Sequence, residues 1–439
     1  MHRFNSLILG GLVASGMLLP VAHAENLLDV YQLATRADAT LAAAEAKYQA
    51  ALQARPQSHA PLRPQINASA GFDRKDISYK DANPAFSDDT YNHKTYGIRL
   101  DQLLFDRASW IRASQSDIQI AQAKAQILAE RQDLIVRTAE AYFGVLAAED
   151  NLRFAKAEKE AISRQLDETR ERFQVGMIAI TDVKESEAQH DLAVAQEIDA
   201  VNQLDIAKEE LRVIIDQSPE SLDRLKLGAV PAKADSKEDI DSWVKRAIDN
   251  SLTLKVAEMG VELAKQEVKR RRAGHLPTLG FKAELGVQDD EGGFSKGKAT
   301  DTSLGLALKL PIYSGGLVSA QVAEADSLYR QAKEQYELQK REVVRQARAS
   351  YLSVQSGRSR VKALQQALAS TETAAEATQA GFEVGTRTAV DVLLSLRETY
   401  RAQRDFARAR YDYVLSTFRL RQATGILAYG DLEKINKWM

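Results

Sequence analysis

The side chains that could do chemistry in this 439-residue chain are few and dispersed. His59, His93, His190 and His275 lie far apart, and no two stand at the short spacing by which one element presents two metal ligands. Cysteine is absent, which excludes disulfides, thiolate metal sites, a cysteine nucleophile and a lipid-modified cysteine. Gly292-Gly-Phe-Ser-Lys-Gly297-Lys298 has the spacing of a phosphate loop, but Ala299 replaces the Ser or Thr hydroxyl that such a loop needs. It also falls between two alternating segments rather than between a strand and a helix, so it reads as a surface loop. No nucleophile elbow and no dinucleotide-binding turn occur. The chain therefore reads as no enzyme, with no cofactor and no catalytic or metal residue.

Two other charged groups have structural explanations available. Lys269-Arg270-Arg271-Arg272 closes a helix before Gly274, where cations suit the helix dipole as well as they suit lipid headgroups. Thr388-Ala-Val-Asp391 has the form of a helix N-cap, and Asp182 before Glu185 could cap another. The net charge of −2 gives no global field for nucleic acid.

The elements that must position these residues come in duplicate. Residues 139–216 and 348–425 align at a constant offset of 209, matching Phe173-Gln-Val-Gly176 with Phe382-Glu-Val-Gly385, and Tyr142 with Tyr351. Asp182-Val183 matches Asp391-Val392 at that offset, and with small shifts Leu100–Phe105 matches Leu308–Tyr313 and Ala34–Leu41 matches Ala247–Leu254. A duplicated unit implies pseudo-symmetry, and so a tube or ring before a catalytic pocket. The domain expectation is a signal peptide over 1–24, a first repeat over 25–230 and a second over 231–439. The signal peptide is read from the basic start Met1-His2-Arg3, the apolar run Leu7–Val21 and the small-residue site Ala22-His23-Ala24.

Most of the chain beyond residue 24 is rich in good helix formers. The stretches from about Ser109 to Phe173 and from about Leu317 to Phe382 are nearly free of breakers, which at ~1.5 Å per residue makes each about 100 Å long. Val318, Val322, Ala325, Tyr329, Ala332 and Tyr336 step by four and three, and Val343, Ala347, Tyr351 and Val354 continue after a phase shift. That spacing fits an intramolecular coiled coil or a wall of helices.

Four short segments alternate instead: Gln65–Asp73, Thr95–Asp101, Leu279–Gln288 and Ser303–Leu310. They give each half one hairpin, at about 65–105 and 278–313, with polar loops near Asp81–Asn92 and Asp289–Asp301. Strands of about 10 residues with one apolar face fit either a half-buried soluble sheet or a membrane barrel. Phe105, Trp110 and Tyr313 at the strand-to-helix junctions suit an interfacial aromatic belt. Four strands cannot close a barrel, since small ones need about eight, so the barrel reading requires association.

Gly176 and Gly385 mark where each long helix stops and reverses over 109–215 and 316–424. Gly176-Met-Ile-Ala-Ile-Thr-Asp-Val183 and Gly385-Thr-Arg-Thr-Ala-Val-Asp-Val-Leu393, with the duplication and the hairpin positions, resemble the TolC family of outer-membrane exit ducts. That resemblance implies a mainly α fold with a small β membrane part. Three internally duplicated protomers would share a 12-stranded β-barrel continued by a long α-helical barrel.

It further implies an outer-membrane duct with a periplasmic extension in a Gram-negative bacterium. The duct would serve type I protein secretion, multidrug efflux or both. Its partners would be two further copies of the chain, a periplasmic adaptor (membrane fusion protein), an inner-membrane ABC or proton-driven pump, and outer-membrane lipid. Carried across residue by residue, the periplasmic gate comprises Thr181 and Asp182 facing Arg387, Gln165 as a cross-subunit hydrogen-bond group, and Asp391 as an entrance ring of carboxylates. Phe382 stands where the family's lock expects a tyrosine, and Leu394 where a second aspartate is expected, which would weaken the lock and its cation binding. The rival from another class is a soluble periplasmic coiled-coil scaffold or adaptor, which needs no lipid-facing strands.

Overall fold

A computed structural model describes residues 25–78, 88–219, 221–226, 239–293 and 296–439; the signal-peptide segment and parts of both polar hairpin loops lie outside them. Helices α1 (Leu27–Ala37), α2 (Ala39–Leu52) and α3 (Ala54–His59) lead into strands β1 (Gln65–Ile77) and β2 (Asp89–Phe105). Then come α4 (Arg107–Gln174), α5 (Ile180–Ile215), α6 (Ile240–Asn250) and α7 (Leu252–Arg272). Strands β3 (Thr278–Asp290) and β4 (Gly297–Lys309) precede α8 (Leu317–Glu383), α9 (Ala389–Ala423) and α10 (Tyr429–Asn436). The second half thus repeats the first, except that the single helix α7 stands in the place of α2 and α3 and that α10 is added.

The long helices begin and end where their sequences say they should. Asp106 caps α4 by accepting from the Ala108 N–H at 3.0 Å and the Ser109 hydroxyl at 2.6 Å. From there α4 runs 68 residues and α8 runs 67, each about 100 Å at the α-helical rise. Of the two arrangements open to the apolar stripe of α8, the structure takes the wall of helices. α7 and α9 lie along both α4 and α8, while α2, α3 and α5 line the other side of α4. Val318, Ala325, Val343 and Ala347 of that stripe are buried.

The core gathers at the midsection. Leu27, Val30 and Ala34 of α1 pack with Leu134, Tyr142, Phe143 and Leu146 of α4, Leu211 and Ile215 of α5, and Tyr411, Val414 and Phe418 of α9. Leu427, Leu432 and Ile435 of the C-terminal segment close the same cluster. The Asp38 carboxylate caps α2 through the Leu41 N–H at 2.6 Å and also holds Arg137 of α4 at 2.9 Å. That pairing fixes the α1–α2 corner against the long helix.

The four alternating segments form one antiparallel sheet in the order β1-β2-β3-β4. They are longer than the alternation alone suggests, at 13, 17, 13 and 13 residues. The extra residues continue into polar sequence, where cross-strand hydrogen bonding carries the strand past its apolar pattern.

Candidate functional site

The register of the sheet sorts its side chains onto two unlike faces. Ile66, Leu100, Ala283 and Leu304 form one cross-strand row, and Ala68, Ile98, Leu285 and Thr302 form the next. Since partners across a ladder share a face, Ile66, Phe72, Tyr96, Ile98, Leu285, Leu304, Leu306 and Leu308 all lie on one side. Within the chain these side chains cover nothing: Ile66, Leu304, Leu306 and Leu308 are 68%, 73%, 69% and 70% exposed. A contiguous apolar face of this kind is untenable in water and calls for lipid.

The opposite face is polar and shallow. Asn67, Arg99, Glu284 and Ser303 make one row, with Arg99 and Glu284 paired at 3.0 Å. Gly71, Gly97, Gly280, Gly286 and Gly305 fall on this face too, so few side chains project from it. At Gly71 a Cβ would come within 2.6 Å of the Thr95 hydroxyl oxygen, so a larger residue there would have to displace the Thr95 side chain. A face of small and polar residues is a wall that water can wet and bulky solutes can pass.

The aromatics stand where the sheet meets the helices. A register shift between Leu103 and Phe105 turns Phe105 onto the apolar face opposite Leu279. Its ring meets Trp110 edge-on at 5.2 Å, and Tyr313, in the connection between β4 and α8, is 87% exposed. Of the basic run, Arg270 and Arg271 pair with Glu267 at 2.5 and 2.7 Å and Arg272 with Asp326 at 3.4 Å. The Arg270 hydrogen bond, helped by Arg271 and Gln115, draws the Glu267 carboxyl down to about 2. The run is therefore largely neutralised within the helices, and only Lys269 among its four residues has no partner.

At the other end of the columns both reversals use one device. Gly176 and Gly385 sit at φ 75° and 80°, a left-handed conformation that costs glycine little. Gly176 N–H donates to the Phe173 carbonyl and Met177 N–H to that of Arg172, both at 2.9 Å. Gly385 and Thr386 donate in the same way to Phe382 at 3.1 Å and Gly381 at 2.8 Å, so both are Schellman caps.

The carboxylates of the two tips differ. Thr388 and Asp391 form a full capping box at the start of α9, and these hydrogen bonds hold the Asp391 carboxyl below the usual range. Asp182 does not cap α5: the N-cap is Ala179, which has no side-chain acceptor, and Asp182 stands in the first turn. Among the described residues neither Thr181 nor Asp182 has a side-chain partner. The Arg387 guanidinium also has none, its stem lying over Gly381, where a Cβ would meet Arg387 Cγ at 2.8 Å. The expected pairing of Thr181 and Asp182 with Arg387 is thus not made inside one protomer, and its groups stay available to a neighbour. Gln165 is buried, with its amide nitrogen unpartnered. Leu394 is 51% exposed.

Phe382 is the surprise. It is 3% exposed, packed with Ala389, Val392 and Leu396, and the Arg172 guanidinium lies 4.1 Å over its ring. Sequence reasoning missed Arg172, for which comparison of the two repeats, not the local sequence, held the one sign. Its duplicate position is Gly381, so the repeats differ just where their tips meet.

A lipid-facing sheet with free edges, joined to helical columns about 100 Å long, defines a membrane channel protein of the outer-membrane type rather than a soluble scaffold. Such a protein conducts and has no catalytic step. The chain belongs to the family described as outer membrane efflux protein, which it matches over residues 30–216 and 243–426. It is 36% identical to the outer membrane protein TolC of Vibrio cholerae over 427 residues, covering 96% of both chains. It is 28% identical to the proteases secretion protein PrtF of Dickeya chrysanthemi, covering 95% of this chain and 92% of the other. The crystal structure of the Campylobacter jejuni CmeC outer membrane channel shares the fold, with a TM-score of 0.78 at 19% identity, over 91% of this chain and 86% of that one.

Proposed function

We propose that the protein is a passive exit duct through the outer membrane, working as a homotrimer whose three sheets join into a 12-stranded barrel. The observation that carries this reading is the two-faced sheet with unpaired outer edges on β1 and β4. An exposed edge is a template for another strand, and pairing β4 of one copy with β1 of the next leaves no edge free. That three copies close the ring follows the family resemblance.

The helices support the same association. Phe143 on α4 is fully buried, yet its duplicate on α8, Leu352, is 54% exposed, as are Leu328 and Leu338 of the same helix at 51% and 69%. Leu192, Ile198, Ile206 and Val213 likewise leave an apolar stripe exposed on α5. These two stripes lie at opposite ends of the protomer's wall, where a neighbour in a ring would cover both.

At the tips, Thr181 and Asp182 of one protomer pair with Arg387 of the next and Gln165 finds its missing partner across the same boundary, holding the duct closed. Asp391 lines the entrance. A periplasmic adaptor and an inner-membrane pump supply the energy and break these charge-assisted contacts, each modest alone but repeated around the ring. Cargo includes protein, as the name of the relative PrtF suggests, and small molecules, as the family description suggests.

Single-channel recording from trimers of Arg387→Ser reconstituted in planar bilayers tests the gate: conductance should rise several-fold. Unchanged currents from intact trimers would remove the lock. The membrane assignment has a separate test, because the protein should stay with outer membranes after salt and carbonate washing.

A further inference from the structure

Among the described residues, the polar or ring contact between the two helical hairpins that lies nearest their turns is the one between Arg172 and Phe382. Arg172 belongs to the last turn of α4 and Phe382 to the last turn of α8, so the contact ties one tip to the other within a single chain. The guanidinium stands 4.1 Å from the ring centroid, well inside the range of cation–π attraction. Glu168 holds it there, accepting from Arg172 Nε at 3.0 Å and Nη2 at 2.7 Å. The ring is wedged against Ala389, Val392 and Leu396 at the start of α9. The next ties lie farther from the turns: Arg397 to Gln189 at 2.7 Å, then Arg404 to Glu158 at 2.6 Å.

The geometry points to a latch. We propose that Arg172, oriented by Glu168, clamps the Phe382 ring and holds the second hairpin tip against the first in the closed duct. Opening then requires the α8–α9 tip to carry Phe382 out from under the guanidinium. Arg172 is a positioning residue in this scheme: it touches no cargo and acts through the hairpin it restrains. A contact of this class shifts a closed–open balance by roughly two- to fivefold per protomer, and the three copies of the proposed trimer compound it. The inference rests on the gated-duct reading above.

The full-length protein, purified as trimers and reconstituted in planar bilayers, tests it. Arg172→Gln and Phe382→Leu should each raise time-averaged conductance at least about twofold, with the double variant no higher than the larger single effect, because both remove the same contact. Phe382→Tyr keeps a ring beneath the cation and adds a hydroxyl that could bind at the lock, so it should conduct no more than the parent; raised conductance from it would count against the ring contact. Arg172 is partly exposed, so Arg172→Gln carries the test if Phe382→Leu fails to assemble. Parental conductance from Arg172→Gln, or additive effects in the double variant, beside raised conductance from Arg387→Ser overturns the latch and leaves the gate standing. Unchanged conductance in all variants, Arg387→Ser included, overturns the gate and the latch with it.

Discussion

Thr388 and Asp391 bind each other in both directions: the Thr388 backbone N–H and hydroxyl donate to one Asp391 carboxylate oxygen at 2.9 Å each, and the Asp391 N–H donates back to the hydroxyl at 3.1 Å. Asp182, the duplicate of Asp391, has no such partner. One ancestral position therefore serves two ends. In the second repeat the carboxylate starts a helix, and in the first its side chain has no partner among the described residues.

That difference predicts different outcomes for the same substitution. Thr388→Ala should cost about 1 kcal/mol through loss of the N-cap while leaving the Asp391 charge in place, so block of the pore by a multivalent cation should persist. Asp391→Asn should abolish that block. Asp182→Asn should not alter the start of α5 by hydrogen exchange, but should raise conductance. Equal loss of protection in both helices would contradict the asymmetry.

The sheet makes a sharper prediction because adjacent residues face opposite media. Leu306→Lys places a charge on the apolar face and should cost about 2–4 kcal/mol of insertion free energy at mid-membrane depth. It should lower the yield of trimer in outer membranes. Ser303→Lys, on the polar face, should insert normally and change only ion selectivity, read from reversal potentials in a salt gradient.

Acid should loosen the midsection through Asp38. Its hydrogen bonds to Arg137 lower the carboxyl below its ordinary value, against the opposing effect of burial. A depressed folded value means the contribution is fully present above about pH 4 and is lost as the pH falls through the folded value. Asp38→Asn should therefore destabilise the protein by only about 1 kcal/mol near neutrality, because Arg137 loses one partner but keeps Glu130 and Asp133. It should also flatten the fall in thermal stability below pH 4; a parallel curve for parent and variant would rule Asp38 out.

The basic run at the end of α7 should behave as internal structure. Glu267 titrates near 2, so mild acid leaves its hold on Arg270 and Arg271 intact. Arg270→Gln should lower thermal stability, since Glu267 links α7 to Gln115 of α4 at 3.3 Å. Retention on anionic vesicles should be unaffected. Weakened retention with unchanged stability would restore the lipid-headgroup reading.

Much of this protein was legible in one dimension. Alternation at Leu304, Leu306 and Leu308 specifies a strand with an apolar face, because side chains on a strand alternate whatever its neighbours are. The Gly176 and Gly385 turns were legible for the same local reason, as were the junction aromatics and the long helices. The proposed gate was legible only as a set of residue types. Arg172 escaped because nothing within a helical turn of it signals a ring supplied from more than two hundred residues away.

Sequence by itself thus determined the periodicities, the duplication and the reversals, each set by backbone geometry acting over a few residues. Tertiary structure alone decided which arginine found an aromatic ring and which apolar stripes stayed bare. Those outcomes turn on the approach of side chains from separate hairpins, where a shift of an ångström or two makes or breaks a contact.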